Sequence, residues 1–423
     1  MHRIWVVLVA AVIAGACQQA DLATDRGDRG EGVTFEDAAD AGTPGDDATE
    51  GADGSEDPIE GASGVGDRYF PGLGNSGYEV VHYDLALDWR PNAELLIGHA
   101  RLEVTTTESL SRFNLDLVGL DVDSLAIDGM PVEFEHRGRE LTLLPETPIA
   151  AGTTMAIEVG YRGTPSPVSI GTDIFETGWI IDGRDVYVAS EPAGAATWFP
   201  ANDHPRDKAT FSFAITVPED LVAVANGVLD GPAAGVLADG RRTFRYRAED
   251  QMATYLASVV IGDLVVIDGE APNGVPLRDA FPRAIAEEAQ ATFAVTGQML
   301  VTFEEWFGPY PFALYGHAVA DESLGYALEN QTMSLFGTDL ATAGVGAESI
   351  VAHELAHQWF GDAVSPGQWR DIWLNEGFAT YAEWIWEQES GGRSIESSAT
   401  SAHDFADYGV PPGDPGRRLQ LSL

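Results

Sequence analysis

The string His353-Glu354-Leu355-Ala356-His357 constrains this chain more than any other feature. Residues four apart lie one above the other on a helix, so both imidazoles point the same way if the segment is helical. Two histidines on one helix face can hold one zinc ion, and the glutamate between them can reach its bound water. A five-residue pattern also arises by chance, so its surroundings decide. A catalytic zinc needs a third protein ligand and one open position. Glu376 follows His357 by 19 positions, inside Trp373-Leu374-Asn375-Glu376-Gly377-Phe378-Ala379. That gap accommodates a helix end, a turn around Pro366 and Gly367, and the start of a packed antiparallel helix. A carboxylate in so apolar a helix is costly to bury unpaired. Zinc ligation gives it a partner; an ion pair with Arg370 is the blander alternative. Asp371 is a candidate partner for a zinc histidine.

The chain has 423 residues, 44% of them hydrophobic, enough for two or three domains with their own cores. From Tyr69 to about residue 268 the pattern is mostly strands and turns. Tyr83, Leu85, Leu87 and Trp89 alternate with polar positions, as do Phe211, Phe213, Ile215 and Val217. The texture then becomes helical. Ala284 to Phe307 carries apolar residues at helical spacing and predicts one helix, stopped by Gly308-Pro309. Glu348 to Phe360 predicts a second helix. Asp371 to about Glu389 predicts a third, closed by Gly391-Gly392. The expected fold class is α+β and multidomain: a β-rich domain over residues 69–268, then a mainly helical domain over residues 269–423.

The amino terminus reads as an export signal. His2 and Arg3 precede an apolar run from Ile4 to Ala14, and Gly15-Ala16 precede Cys17. The run is too short to span a membrane as a helix. Small residues before a lone cysteine resemble the bacterial lipobox, which implies a signal peptide over residues 1–16 and lipidation of Cys17. Residues 17–68 are rich in Gly, Ala, Asp and Glu and are expected to form a disordered acidic tether. The expected location is the outer side of a bacterial membrane, anchored by lipid. One cysteine permits no internal disulfide. A formal net charge of −44 argues against nucleic acid as a partner.

The run H-E-L-A-H-Q-W-F-G-D followed by W-L-N-E-G-F-A-T-Y resembles the signature of the aminopeptidase N family of gluzincins. The resemblance implies a saddle-like β domain and a thermolysin-like catalytic domain. It implies one zinc ion per chain on His353, His357 and Glu376, with Glu354 as general base. Gly325-Tyr326-Ala327-Leu328-Glu329-Asn330 resembles the family's exopeptidase motif, with Tyr326 where glycine is usual. Glu329 would then bind the amino terminus of a peptide substrate. The stretch from Glu191 through Lys208-Ala209-Thr210-Phe211 is a further match and makes Glu191 a second ammonium-binding carboxylate. Within it Ala201 replaces a usual cysteine and His204 a usual glutamate. Asn226-Gly227 reads as a turn.

The family also uses an oxyanion-stabilising tyrosine, roughly sixty residues after the third ligand. That place lies beyond Leu423, and neither Tyr381 nor Tyr408 matches by spacing. The catalytic domain is therefore expected to be incomplete. The expected function is a zinc aminopeptidase acting on peptides with a free amino terminus. A catalytically impaired, peptide-binding surface lipoprotein and a thermolysin-like endopeptidase are the alternatives.

Overall fold

The computed structural model describes residues 57–169, 176–232 and 235–408. The expected signal peptide, Cys17 and most of the tether lie outside the described residues.

The first domain is built from long strands with period-two burial, interrupted by irregularities such as the one at Val80–His82. In the strand Tyr78–Arg90, Tyr83, Leu85, Leu87 and Trp89 are each at most 1% exposed, while the intervening Asp84 and Ala86 face out. Its neighbours in an eight-stranded sheet are Leu95–Thr106, antiparallel, and Lys208–Pro218, parallel. The register sets Tyr83 beside Phe211, and their rings stack at 4.7 Å. A five-stranded sheet contains the strand Asp185–Ala189, which leads directly into Ser190-Glu191. A four-stranded sheet completes the domain.

One edge of that four-stranded sheet corrects the tether boundary. Ile59–Glu60 pairs in parallel with Leu110–Asp116, and Asp67 is 2% exposed. The order comes from backbone pairing and one buried carboxylate. Composition counts apolar residues and does not register either.

The second domain starts with the strand Leu264–Glu270, at one edge of another five-stranded sheet. Ala327–Leu328 forms its other edge, antiparallel to Ser334–Phe336. The helices among the described residues are α1 (Ala286–Phe293), α2 (Thr296–Phe307), α3 (Thr338–Ala341), α4 (Glu348–His357), α5 (Trp373–Glu389) and α6 (Ile395–Tyr408). None is long and apolar enough to cross a membrane.

The single helix expected from 284 to 307 is two. The chain breaks at Ala294-Val295 between the β-branched residues Thr292 and Thr296, which crowd a helical turn. Packing favours the break: Phe293 stacks on His317 at 4.1 Å and on Phe281 at 5.6 Å, while Met299, Leu300 and Phe303 fill the core beyond. Helix α4 ends at His357, three residues before the expected Phe360, because Gln358 N–H bonds to Leu355 O in a tighter turn.

Two cores result. The first lies inside the β domain but continues into Ala318, Met333, Leu335, Trp369 and Ile372 of the second. The other packs α1, α2, α4 and α5 around Val351, Leu355, Ala379 and Ile385. Lys208, the sole lysine, joins the domains: its Nζ donates to Asp362 O at 2.6 Å and Ala363 O at 3.2 Å.

Candidate metal centre

Helix α4 is buried from Val351 through His357, so its histidines reach the site from a rigid scaffold. His353 and His357 have ring centroids 4.7 Å apart. Glu376, in the first turn of α5, faces both: its Oε2 lies 3.2 Å from His353 Nε2 and its Oε1 lies 3.9 Å from His357 Nε2. Donor atoms of His353, His357 and Glu376 all lie within 4.8 Å of one another. Arg370 does not pair with Glu376; it lies against Asp371, at 3.9 Å.

The opposite ring nitrogens are occupied. His357 Nδ1–H donates to Phe360 O at 3.0 Å, and His353 Nδ1 lies 2.8 Å from Glu383 Oε1. Ser349 Oγ donates to the other oxygen of Glu383. Each imidazole thus turns Nε2 toward Glu376, with ring orientation fixed from behind. Two Nε2 atoms and one carboxylate make a donor set suited to zinc. Asp371 was the candidate partner for a histidine, and Glu383 occupies that place instead. The signal was present in the sequence: Glu383 stands seven residues after Glu376 on the same helix, hence on the same face.

Gly361 closes the turn behind His357 with φ of +136°, where a side chain is strained and a Cβ would sit 3.2 Å from both His357 Nδ1 and Asn375 Nδ2. Gln358, next to His357, holds the segment expected to meet a substrate. Its Nε2 donates to Glu329 O at 2.9 Å and its Oε1 accepts from Thr332 N–H at 2.8 Å. Asn226, read as a mere turn residue, is fully buried and donates to Gln331 O at 2.7 Å. The segment from Glu329 to Thr332 is therefore held from the end of α4 and from the β domain together.

Four glutamates converge here. Glu329, Glu354 and His357 place donor atoms within 4.8 Å of one another. Glu191 is 9% exposed and Glu329 3%, and Oε1 of each has no hydrogen-bond donor among the described residues. Burial and then the charge of Glu329 push the Glu191 carboxyl well above its ordinary range. Burial also raises Glu354 strongly, against the opposing pull of His353, with Glu329 and Glu376 adding to the rise. Burial would raise Glu376 too, but His353 and His357 hold it below the usual carboxylate value. A positive charge entering this space would relieve the repulsion.

A β domain, a helical domain and a two-histidine, one-carboxylate cluster behind an edge strand together define a gluzincin-type metallopeptidase architecture. Residues 79–256 match the Peptidase M1 N-terminal domain, and residues 291–407 match the Peptidase family M1 domain. The chain belongs to peptidase family M1. It is 32% identical to the M1 zinc metallopeptidase from Deinococcus radiodurans, with a TM-score of 0.73 covering 81% of this chain and 78% of that one. A two-domain M1 zinc metallopeptidase bound to L-tryptophan gives a TM-score of 0.75 at 32% identity, covering 82% of this chain and 79% of that one. Aminopeptidase 2 of Candida albicans is 26% identical over 321 residues, 72% of this chain and 34% of that protein. Aminopeptidase N of Acetobacter pasteurianus is 33% identical over 204 residues, 45% of this chain and 56% of that protein. The chain thus spans well under two thirds of the length of these curated relatives.

Proposed function

We propose that the chain is a zinc-dependent aminopeptidase, with one zinc ion held by His353, His357 and Glu376. The observation that carries the exopeptidase reading is the pair Glu191 and Glu329, buried, mutually repelling and each with one oxygen lacking a donor. An α-ammonium group brings the missing donors and the missing charge together. An endopeptidase has no use for such a socket. Zinc in the cluster supplies Lewis acidity toward the scissile carbonyl and the attacking water. Glu354 takes the water proton, and its raised affinity for that proton suits the transfer onward to the leaving amine. Glu329 and Glu191 fix the amino terminus, which limits cleavage to the first peptide bond. The edge strand Ala327–Leu328 offers backbone groups to an extended peptide.

The test is hydrolysis of a panel of amino-acid arylamides, with zinc content assayed in the same sample. Turnover that Glu354→Ala abolishes while zinc stays near one equivalent is the expected result. Zinc bound without turnover would defeat the enzyme reading and leave a peptide-binding protein. We further propose lipid anchoring through Cys17. Metabolic lipid labelling lost in Cys17→Ser supports it, and an unlabelled wild-type chain ends it.

A further inference from the structure

We propose that Asp67 is a positioning residue for Glu376: the segment ahead of the first long strand is a strap that fixes the turn from which α5 departs. The inference rests on reading His353, His357 and Glu376 as a zinc site.

The side chain of Asp67 is fully buried, and four donors face its two oxygens. Oδ1 accepts from Tyr69 N–H at 2.7 Å and from Phe70 N–H at 3.0 Å. Oδ2 accepts from Trp369 N–H at 2.7 Å, across 302 positions of sequence. Its other partner is His204 Nε2, at 3.2 Å. Arg206 N–H donates to His204 Nδ1 at 3.1 Å, so Nδ1 carries no proton and Nε2–H is the donor. The pair is thus a carboxylate held by a neutral imidazole. Burial lowers the proton affinity of His204; burial would raise that of Asp67, but its hydrogen bonds, led by those from Phe70 and Trp369, outweigh it.

One carboxylate therefore joins the strap, the β domain and the second domain at Trp369. Two routes lead from Trp369 to the metal cluster. Along the backbone, Trp369 opens the short turn Trp369–Asp371; Ile372 N–H bonds to Trp369 O, and Glu376 N–H bonds to Ile372 O. Across side chains, the Trp369 ring packs edge-on to Phe70 at 6.1 Å and to Tyr255 at 5.1 Å. Tyr255 Oη in turn accepts from Asn375 Nδ2 at 3.4 Å, next to Glu376 in sequence. Without Asp67, the N–H groups of Trp369, Tyr69 and Phe70 lose their acceptor, and the start of α5 loses its fixed point.

The experiment compares the full chain with Asp67→Ala and Tyr78→Phe. Tyr78 donates its hydroxyl to Asn114 O deep in the β domain, away from Asp67, Trp369 and their hydrogen bonds. Three quantities are measured: zinc affinity by competition with a chromophoric chelator, the visible spectrum of the cobalt-substituted protein, and thermal unfolding of the metal-free protein. Asp67→Ala is expected to raise the zinc dissociation constant about tenfold, at the lower end for residues that orient ligands, and to shift the cobalt bands. Tyr78→Phe is expected to lower the unfolding midpoint and leave both metal readouts at their wild-type values. Wild-type metal readouts in Asp67→Ala overturn the proposal, whatever happens to the midpoint. If Asp67→Ala does not fold, His204→Ala replaces it, with a smaller rise in the same direction expected and unchanged metal readouts overturning. A wild-type chain that binds no zinc sinks the zinc reading itself, which separates that failure from failure of the strap.

Discussion

Two buried acidic clusters among the described residues differ in what faces their carboxylates. In the β domain, Asp203 accepts from Thr254 Oγ1 and Ala196 N–H and lies 3.5 Å from Arg139. Asp116 accepts from Asn75 Nδ2 and Asp203 N–H on one oxygen; its second oxygen has no hydrogen bond but faces the same arginine at 3.7 Å. Asp67 is saturated with donors. At the candidate metal centre, Glu191 and Glu329 each keep an oxygen that, among the described residues, faces neither a donor nor an arginine. A carboxylate surrounded by the protein's own donors is part of the architecture, because removing it orphans those donors. A carboxylate buried without donors is destabilising alone, and it persists where a ligand will complete it.

The sharpest break of that comparison is Glu354→Ala, expected to reduce arylamide turnover by at least 10³-fold with zinc retained, as read by steady-state kinetics and metal assay. Next comes Glu329→Ala. It is expected to cut kcat/KM on free amino-terminal substrates by ~10²-fold while zinc stays bound; equal loss of zinc would assign Glu329 to the metal instead. Glu383→Ala follows, with zinc affinity weakened about 10- to 100-fold in chelator competition.

A smaller effect tests the β-domain cluster. Burial pushes the Asp207 carboxyl up to about 7, against hydrogen bonds from Val80 N–H and Asn202 Nδ2. Its unfolded value is near 3.8, so between about pH 4 and 7 the folded state holds the extra proton. Stability from this group is then present at low pH and lost as pH rises through that window. The slope is at most about 1.4 kcal/mol per pH unit, and Asp207→Asn should remove it from denaturant titrations. Least affected should be Arg112→Ala, which deletes an exposed pair with Glu60. A change within ~0.5 kcal/mol is expected, since the strand Ile59–Glu60 is held by its backbone.

The readable parts of the sequence were those governed by local periodicity. His353 and His357 share a face because they are four apart, and the strand alternation from Tyr83 to Trp89 appears as burial without change. Glu376 was legible because an isolated carboxylate in an apolar helix demands a partner. Glu383 is equally legible by helical phase, seven residues after Glu376 on the same face. Asp67 was not readable, since nothing local announces a bond to a residue 302 positions away. The burial of Glu191 and Asn226 was hidden for the same reason: both sit in connecting segments whose environment is set by the other domain. The break between α1 and α2 was decided by how Phe293 and Phe303 divide the core, which periodicity does not weigh.

Lys208 leaves the chain with one side-chain amine, and that amine sits on the seam between the domains. Burial lowers its proton affinity, but the carbonyls of Asp362 and Ala363 occupy its N–H groups for as long as the seam is closed. Isotope-labelled reductive methylation would therefore install a single side-chain NMR reporter at this joint. Its rate of modification would clock how often the two domains part.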